Sequence, residues 1–178
     1  MATLTSQVGA SSGAAGSQLV AVMSAPVDVH STTNETTLLS FTLPGGGLGT
    51  ANMIQAQILL SDFDTSTTNG VTFRLKYGST TIASYIFDDC GTVSNANGVI
   101  IANMYAAGAT NAQGGSIAVQ VMAHNDGAES FSVHNTGTGA EDSTGDLTFS
   151  ITAQPETSSA SVGTTAQTGY AMLATMAA

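Results

Sequence analysis

Val71-Thr72-Phe73-Arg74-Leu75-Lys76-Tyr77-Gly78-Ser79-Thr80-Thr81-Ile82-Ala83-Ser84-Tyr85-Ile86-Phe87 is the stretch of this chain that declares its structure most openly. Val71, Phe73, Leu75 and Tyr77 alternate with Thr72, Arg74 and Lys76, the period of two that sends successive side chains of a β-strand to opposite faces. Gly78-Ser79 turns the chain, and residues 80–87 return as a second strand, so the stretch predicts a β-hairpin. Its first strand turns Phe73, Leu75 and Tyr77 toward a core and leaves Arg74 and Lys76 together on the polar face.

The same pattern recurs on both sides of the hairpin. Upstream, Ile54, Ala56, Ile58 and Leu60 alternate with Gln55 and Gln57 over residues 53–60. Residues 38–43 form another apolar run, stopped by Pro44-Gly45-Gly46-Gly47, through which no regular element continues. Residues 19–23 form the first. Downstream come residues 99–105, then 117–124 with Ile117, Val119, Val121 and Ala123 on one face, a short piece at 131–133, and 147–152, where Leu147, Phe149 and Ile151 alternate with Thr148, Ser150 and Thr152. The final segment, 170–176, is apolar on both faces, which predicts a strand covered on both sides, the second side by another subunit. Tyr170, Met172 and Met176 are therefore interface candidates, together with Arg74 and Lys76. Roughly eight to ten short strands with Gly-rich turns and no long helix predict an all-β protein, an antiparallel two-sheet β-sandwich with jelly-roll topology. Residues 6–18 are almost entirely Gly, Ala and Ser and offer nothing large enough to pack. They predict a flexible N-terminal arm over residues 1–17, followed by the sandwich domain over residues 18–178.

Charge narrows the function. The 178 residues hold twelve Asp and Glu against two Lys and Arg, a net charge of -10. Nucleic-acid binding needs many cations on phosphates, and attraction to an anionic bilayer grows with the same count, so neither is expected. Only 8% of residues are charged, against a usual share of about 25%. The surface must be built from Ser, Thr, Asn, Gln, Gly and Ala. No apolar run approaches the roughly 20 residues that cross a bilayer as a helix. The opening residues lack a basic n-region, so classical secretion is not expected. Cys90 stands alone, so the fold requires no disulfide and no oxidising compartment.

Several motifs suggest chemistry and fail a physical requirement. Gly9-Ala10-Ser11-Ser12-Gly13 matches the serine-hydrolase elbow, but that serine must stand on a strained turn between a strand and a helix, and here it lies in a Gly/Ala/Ser tract. Asp62-Phe63-Asp64-Thr65-Ser66 begins like a calcium loop, yet Thr67 and Phe73 occupy the positions that would need Gly and Glu. A looser calcium site with Asn69 is the alternative to a solvated hairpin loop. Glu141, Asp142 and Asp146 read as solvated loop acids. Asp88-Asp89-Cys90 has no second cysteine and no nearby histidine to activate a thiolate. His30, His124 and His134 are dispersed, and a metal would require them to converge. Paired carboxylates for glycoside hydrolysis would have to come from these loops, with aromatic residues at only 6% and no Trp. The expectation is no cofactor, no metal and no enzyme.

Two stretches carry a resemblance. Thr33-Asn34-Glu35-Thr36-Thr37-Leu38-Leu39-Ser40-Phe41-Thr42-Leu43-Pro44-Gly45-Gly46-Gly47-Leu48-Gly49-Thr50 resembles the opening strand and loop of jelly-roll virion proteins of tailed phages, and residues 71–81 resemble their basic hairpin. With the last strand, the resemblance spans about residues 30–178. It implies a non-enzymatic virion structural protein, a capsid decoration or cement protein that binds the major capsid protein on the virion surface, as a homotrimer. The alternative within the same group is a tail or head fibre module that recognises host surface glycans through loops bearing Asn, Asp and Tyr. Such proteins usually carry more Arg and Lys than this chain does.

Overall fold

The computed structural model describes residues 16–65, 69–88, 93–125 and 127–175. Among them every regular element is a strand: β1 (Gly16–Val22), β2 (Asp28–Val29), β3 (Thr36–Leu43), β4 (Met53–Thr65), β5 (Val71–Tyr77), β6 (Thr80–Phe87), β7 (Val93–Ala109), β8 (Ala112–Asn125), β9 (Gly127–Gly139), β10 (Leu147–Pro155) and β11 (Ser161–Thr175). They form two antiparallel sheets. The long sheet runs β1-β11-β4-β7-β8-β9, with β2 added on β11, and the short sheet runs β3-β10-β5-β6. Without β2 and the β8–β9 hairpin, what remains is two four-stranded sheets, β1-β11-β4-β7 and β3-β10-β5-β6, wound as a jelly roll. The predicted β-sandwich and its topology are both present.

The core follows from the alternation. Ile54, Ala56 and Ile58 of β4 and Ile100, Ala102 and Met104 of β7 point inward from the long sheet, against Phe73, Leu75 and Tyr77 of β5 and Phe149 and Ile151 of β10. All of these side chains are buried. Phe63, near the end of β4, reaches across to the short sheet. Its ring centroid lies 6.1 Å from that of Phe73 and 5.1 Å from that of Phe87, the latter edge-on at 89°. Pairs of this geometry add attraction beyond simple area burial.

The two long sides of the sandwich close differently. On one, β6 comes against β9, where a methyl group on Gly137 would collide with the Ile82 carbonyl and one on Gly139 with the Ile82 side chain. Bare backbone at these positions lets the sheets meet. On the other side β1 and β3 are open edges, bridged by residues 23–27, and a cleft of about 440 Å³ remains between Met23, Pro26, Val27, Leu38 and their neighbours.

The strands are longer than hydrophobic alternation predicts. Strand β1 already begins at Gly16, paired with Thr175, inside the stretch that composition assigns to an arm. Residues 1–15, which make up the rest of that arm and include the Gly9 to Gly13 motif, lie outside the described residues, as do Asp89, Cys90 and Met176. Strand β9 spans Gly127–Gly139 where residues 131–133 alone were expected, because β8 offers a partner along its whole length. Asp62 and Asp64 belong to β4 and not to a hairpin loop.

Phe63→Ala should destabilise the chain by about 3–5 kcal/mol, since it removes a buried ring that contacts aromatic side chains of the opposite sheet. Chemical denaturation monitored by circular dichroism measures the loss.

Candidate functional site

The two fixed cations are engaged within the chain. On the outer face of the short sheet, Glu35, just before β3, reaches over β10 toward β5. Its Oε1 accepts a hydrogen bond from the Thr152 hydroxyl at 2.7 Å and one from Lys76 Nζ at 3.1 Å. Arg74 Nη1 stands 3.7 Å from Oε2, an ion pair without a hydrogen bond. The Thr152 hydroxyl, ahead of the two cations, holds the Glu35 carboxyl below its ordinary range against the opposing effect of partial burial. Arg74 and Lys76 thus share one polar face, as their spacing predicts, and their carboxylate partner is intrachain.

The loop acids hold turns in place. Glu141 Oε1 accepts from the Ser79 amide at 3.0 Å and from the Ser79 and Thr80 hydroxyls at 2.8 and 2.7 Å, pinning the β5–β6 turn at Gly78, whose φ is +59°. Asp146 accepts from the Gly45 amide at 2.8 Å and anchors the Pro44–Gly47 loop. Asp142 caps Thr144 through both its amide and its hydroxyl. Reading these residues as merely solvated missed their work. Asp64 accepts from the Asn95 backbone amide at 2.7 Å and the Ser161 hydroxyl at 2.9 Å, while Ser66 of the same motif lies outside the described residues. His30 Nε2 lies 2.7 Å from Asp28 and 3.3 Å from Asp62. His134 stands on β9, at the far edge of the long sheet, so these two histidines do not converge. Among the described residues, no group of three or more His, Cys, Asp and Glu is placed to hold a metal.

The outer face of the long sheet is built differently. Register sets Tyr170 of β11 beside Gln57, Met172 beside Gln55 and Ala174 beside Met53 on β4. The same rows continue to Ile101, Asn103 and Tyr105 on β7, to Ala118, Ser116 and Gly114 on β8, and to His134, Thr136 and Thr138 on β9. Strand β1 adds Leu19 opposite Met172. From the row of Leu59 to the row of Met53 this face holds no Asp, Glu, Lys or Arg among the described residues. It exposes Leu19, Leu59, Ile101, Tyr105 and Met122, the last at 60%.

Tyr170 and Met172 lie half-buried on this face, and the Tyr170 hydroxyl is 2.9 Å from Gln57 Oε1, to which it donates. The doubly apolar last strand therefore has one face, Ala171 and Leu173, in the core, while the other is on the surface. All four tyrosines stand in strands, Tyr77 in the core and Tyr105 and Tyr170 on this face, so loops bearing Tyr are not a feature of the fold. Sequence spacing alone could have put Gln55, Gln57, Asn103 and Tyr105 on outward positions, but not side by side.

No family model matches the chain, and no curated protein matches it. Among solved structures, peanut lectin with a 9mer peptide is similar over 92% of both chains at 10% identity with a TM-score of 0.39. The CBM2 module of the evolved Dit of Lactobacillus casei BL23 phage J-1 is similar over 91% of this chain and 79% of its own, at 15% identity with a TM-score of 0.35. Likenesses this remote add nothing to what the geometry of the faces already says.

Glu35 is ionised more easily in the folded chain than as a free side chain, so its contribution is fully present above the ordinary glutamate range and is lost as pH falls below that range through the lowered folded value. Glu35→Gln should lower stability by about 1 kcal/mol at neutral pH, the small value set by its solvent contact. The gap from the parent should narrow as pH falls below the ordinary glutamate range, measured by urea denaturation at neutral and acidic pH.

Proposed function

We propose that the protein is a non-enzymatic structural protein of a tailed-phage virion that serves as a recognition module for host surface glycans, with the outer face of the long sheet as its contact surface. The reading rests on one observation: in a chain of net charge -10, the part of this face from the row of Leu59 to the row of Met53 holds no fixed charge among the described residues and combines an exposed tyrosine ring with amide side chains. Amides donate and accept, as sugar hydroxyls do, and a tyrosine ring offers an apolar surface with a polar tip. The phage assignment draws on the resemblance carried by residues 33–50 and 71–81. No cofactor is needed for such a role.

A second reading, capsid decoration, is favoured by Leu19, Leu59, Ile101 and Met122 on the same face, which suit a protein surface better than a sugar. In that role the chain binds the major capsid protein, as a homotrimer, and many weak copies act together through multivalency. The purified chain should show saturable binding to surface polysaccharide of the phage's host, followed by calorimetry, with no release of reducing ends. Silence toward glycans together with stoichiometric binding to capsids stripped of the protein would instead establish decoration.

A further inference from the structure

On the glycan reading, we infer that Tyr105 is a stacking platform for an uncharged pyranose ring, laid down on the sheet by Gly114. The two residues are directly opposite on β7 and β8. Gly114 is buried although it lies on the outer face, and its cover is the tyrosine. A Cβ at Gly114 would stand 2.8 Å from Tyr105 Cε2 and closer still to Cζ and Oη. The ring therefore occupies the space that a side chain at position 114 would fill. Any residue but glycine there would push the ring away from the sheet.

One side of the ring leans on the β8 backbone while Tyr105 as a whole stays 49% exposed, so a substantial part of the residue is open to solvent. Leaning on backbone also restricts the rotamers of the ring, which reduces the ordering that binding would otherwise require. Such a surface suits the C–H face of a pyranose, which gathers many weak contacts with an aromatic ring.

The surroundings supply the polar half of the site. Asn103 is two residues back on the same face, with Gln55 and Ser116 on either side of it and Thr136 beyond Ser116. The side chains of Gln55, Asn103 and Ser116 make no hydrogen bond to any other described residue, so their donors and acceptors are free for hydroxyls. Thr138 flanks Gly114 on β9.

Charge selects the class of sugar. Both fixed cations, Arg74 and Lys76, are on the outer face of the other sheet and paired with Glu35. Sialic and uronic acids would meet a surface without a counter-charge on a chain of net charge -10. Neutral hexoses and N-acetylhexosamines would not.

The test titrates the full chain with neutral gluco-, galacto-, manno- and N-acetylglucosamine oligosaccharides and with sialylated and uronic counterparts, following tyrosine fluorescence and calorimetry. Tyr105→Ala should weaken neutral-sugar binding about tenfold or more, and Tyr105→Phe should stay within about threefold of the parent. Gly114→Ala keeps the tyrosine but displaces its ring, and should weaken binding about as much as Tyr105→Ala, with an unchanged circular dichroism spectrum. Sugar binding that survives both Tyr105→Ala and Gly114→Ala overturns the platform while leaving the glycan reading intact. A preference for the acidic sugars overturns the assignment to neutral ones. A parent chain that binds no sugar in the panel overturns the glycan reading, and the platform with it.

Discussion

The contact between Phe63 of the long sheet and Phe73 and Phe87 of the short one is the constraint on which the rest of this structure depends. A sandwich holds only if each sheet surrenders one face to the other, and here the inner residues of β4, β5, β7 and β10 do so with Thr65, at the end of β4, as the polar exception. Once inner faces are committed to packing, the two outer faces are released from it. Their chemistry can then diverge, and it does.

Electrostatics organises that divergence. With only two fixed cations, the chain places both on the short sheet around one carboxylate, which the Thr152 hydroxyl, ahead of either cation, holds ionised. Several other acids are held as hydrogen-bond acceptors at turns, Glu141 at the β5–β6 hairpin and Asp146 at the Pro44–Gly47 loop. A carboxylate that accepts from two or three donors fixes a loop without a cation. This leaves the central part of the outer long-sheet face uncharged, although the molecule as a whole is strongly acidic. An uncharged, partly apolar face on such a molecule is where contact with another surface meets least electrostatic resistance.

Much of the fold was legible from strict alternation. The hairpin of β5 and β6, the inward set Ile54, Ala56 and Ile58, and the strand from Leu147 all lie where their period of two predicts. The parts that were not legible share a composition. The C-terminal half of β9, His134-Asn135-Thr136-Gly137-Thr138-Gly139, has no hydrophobic pattern and would be a loop by its own preferences. It is a strand because β8 presents backbone partners, and because its glycines admit the edge of β6. The early residues of β7 and β11 were missed for the same reason, since ladder hydrogen bonds do not depend on side chains.

By itself, the sequence determined that the chain folds into β-strands with apolar inner faces, that its surface is nearly free of cations, and that Arg74 and Lys76 share a polar face. Those properties are local, set by side-chain alternation and composition. Only the tertiary structure decided which outward residues became neighbours. Register, fixed by backbone hydrogen bonds between strands, set Tyr105 over Gly114 across the β7–β8 hairpin and brought Glu35 over β10, from far away in the chain, to the two cations. A shift of a single residue in either pairing would have turned those side chains to the opposite face.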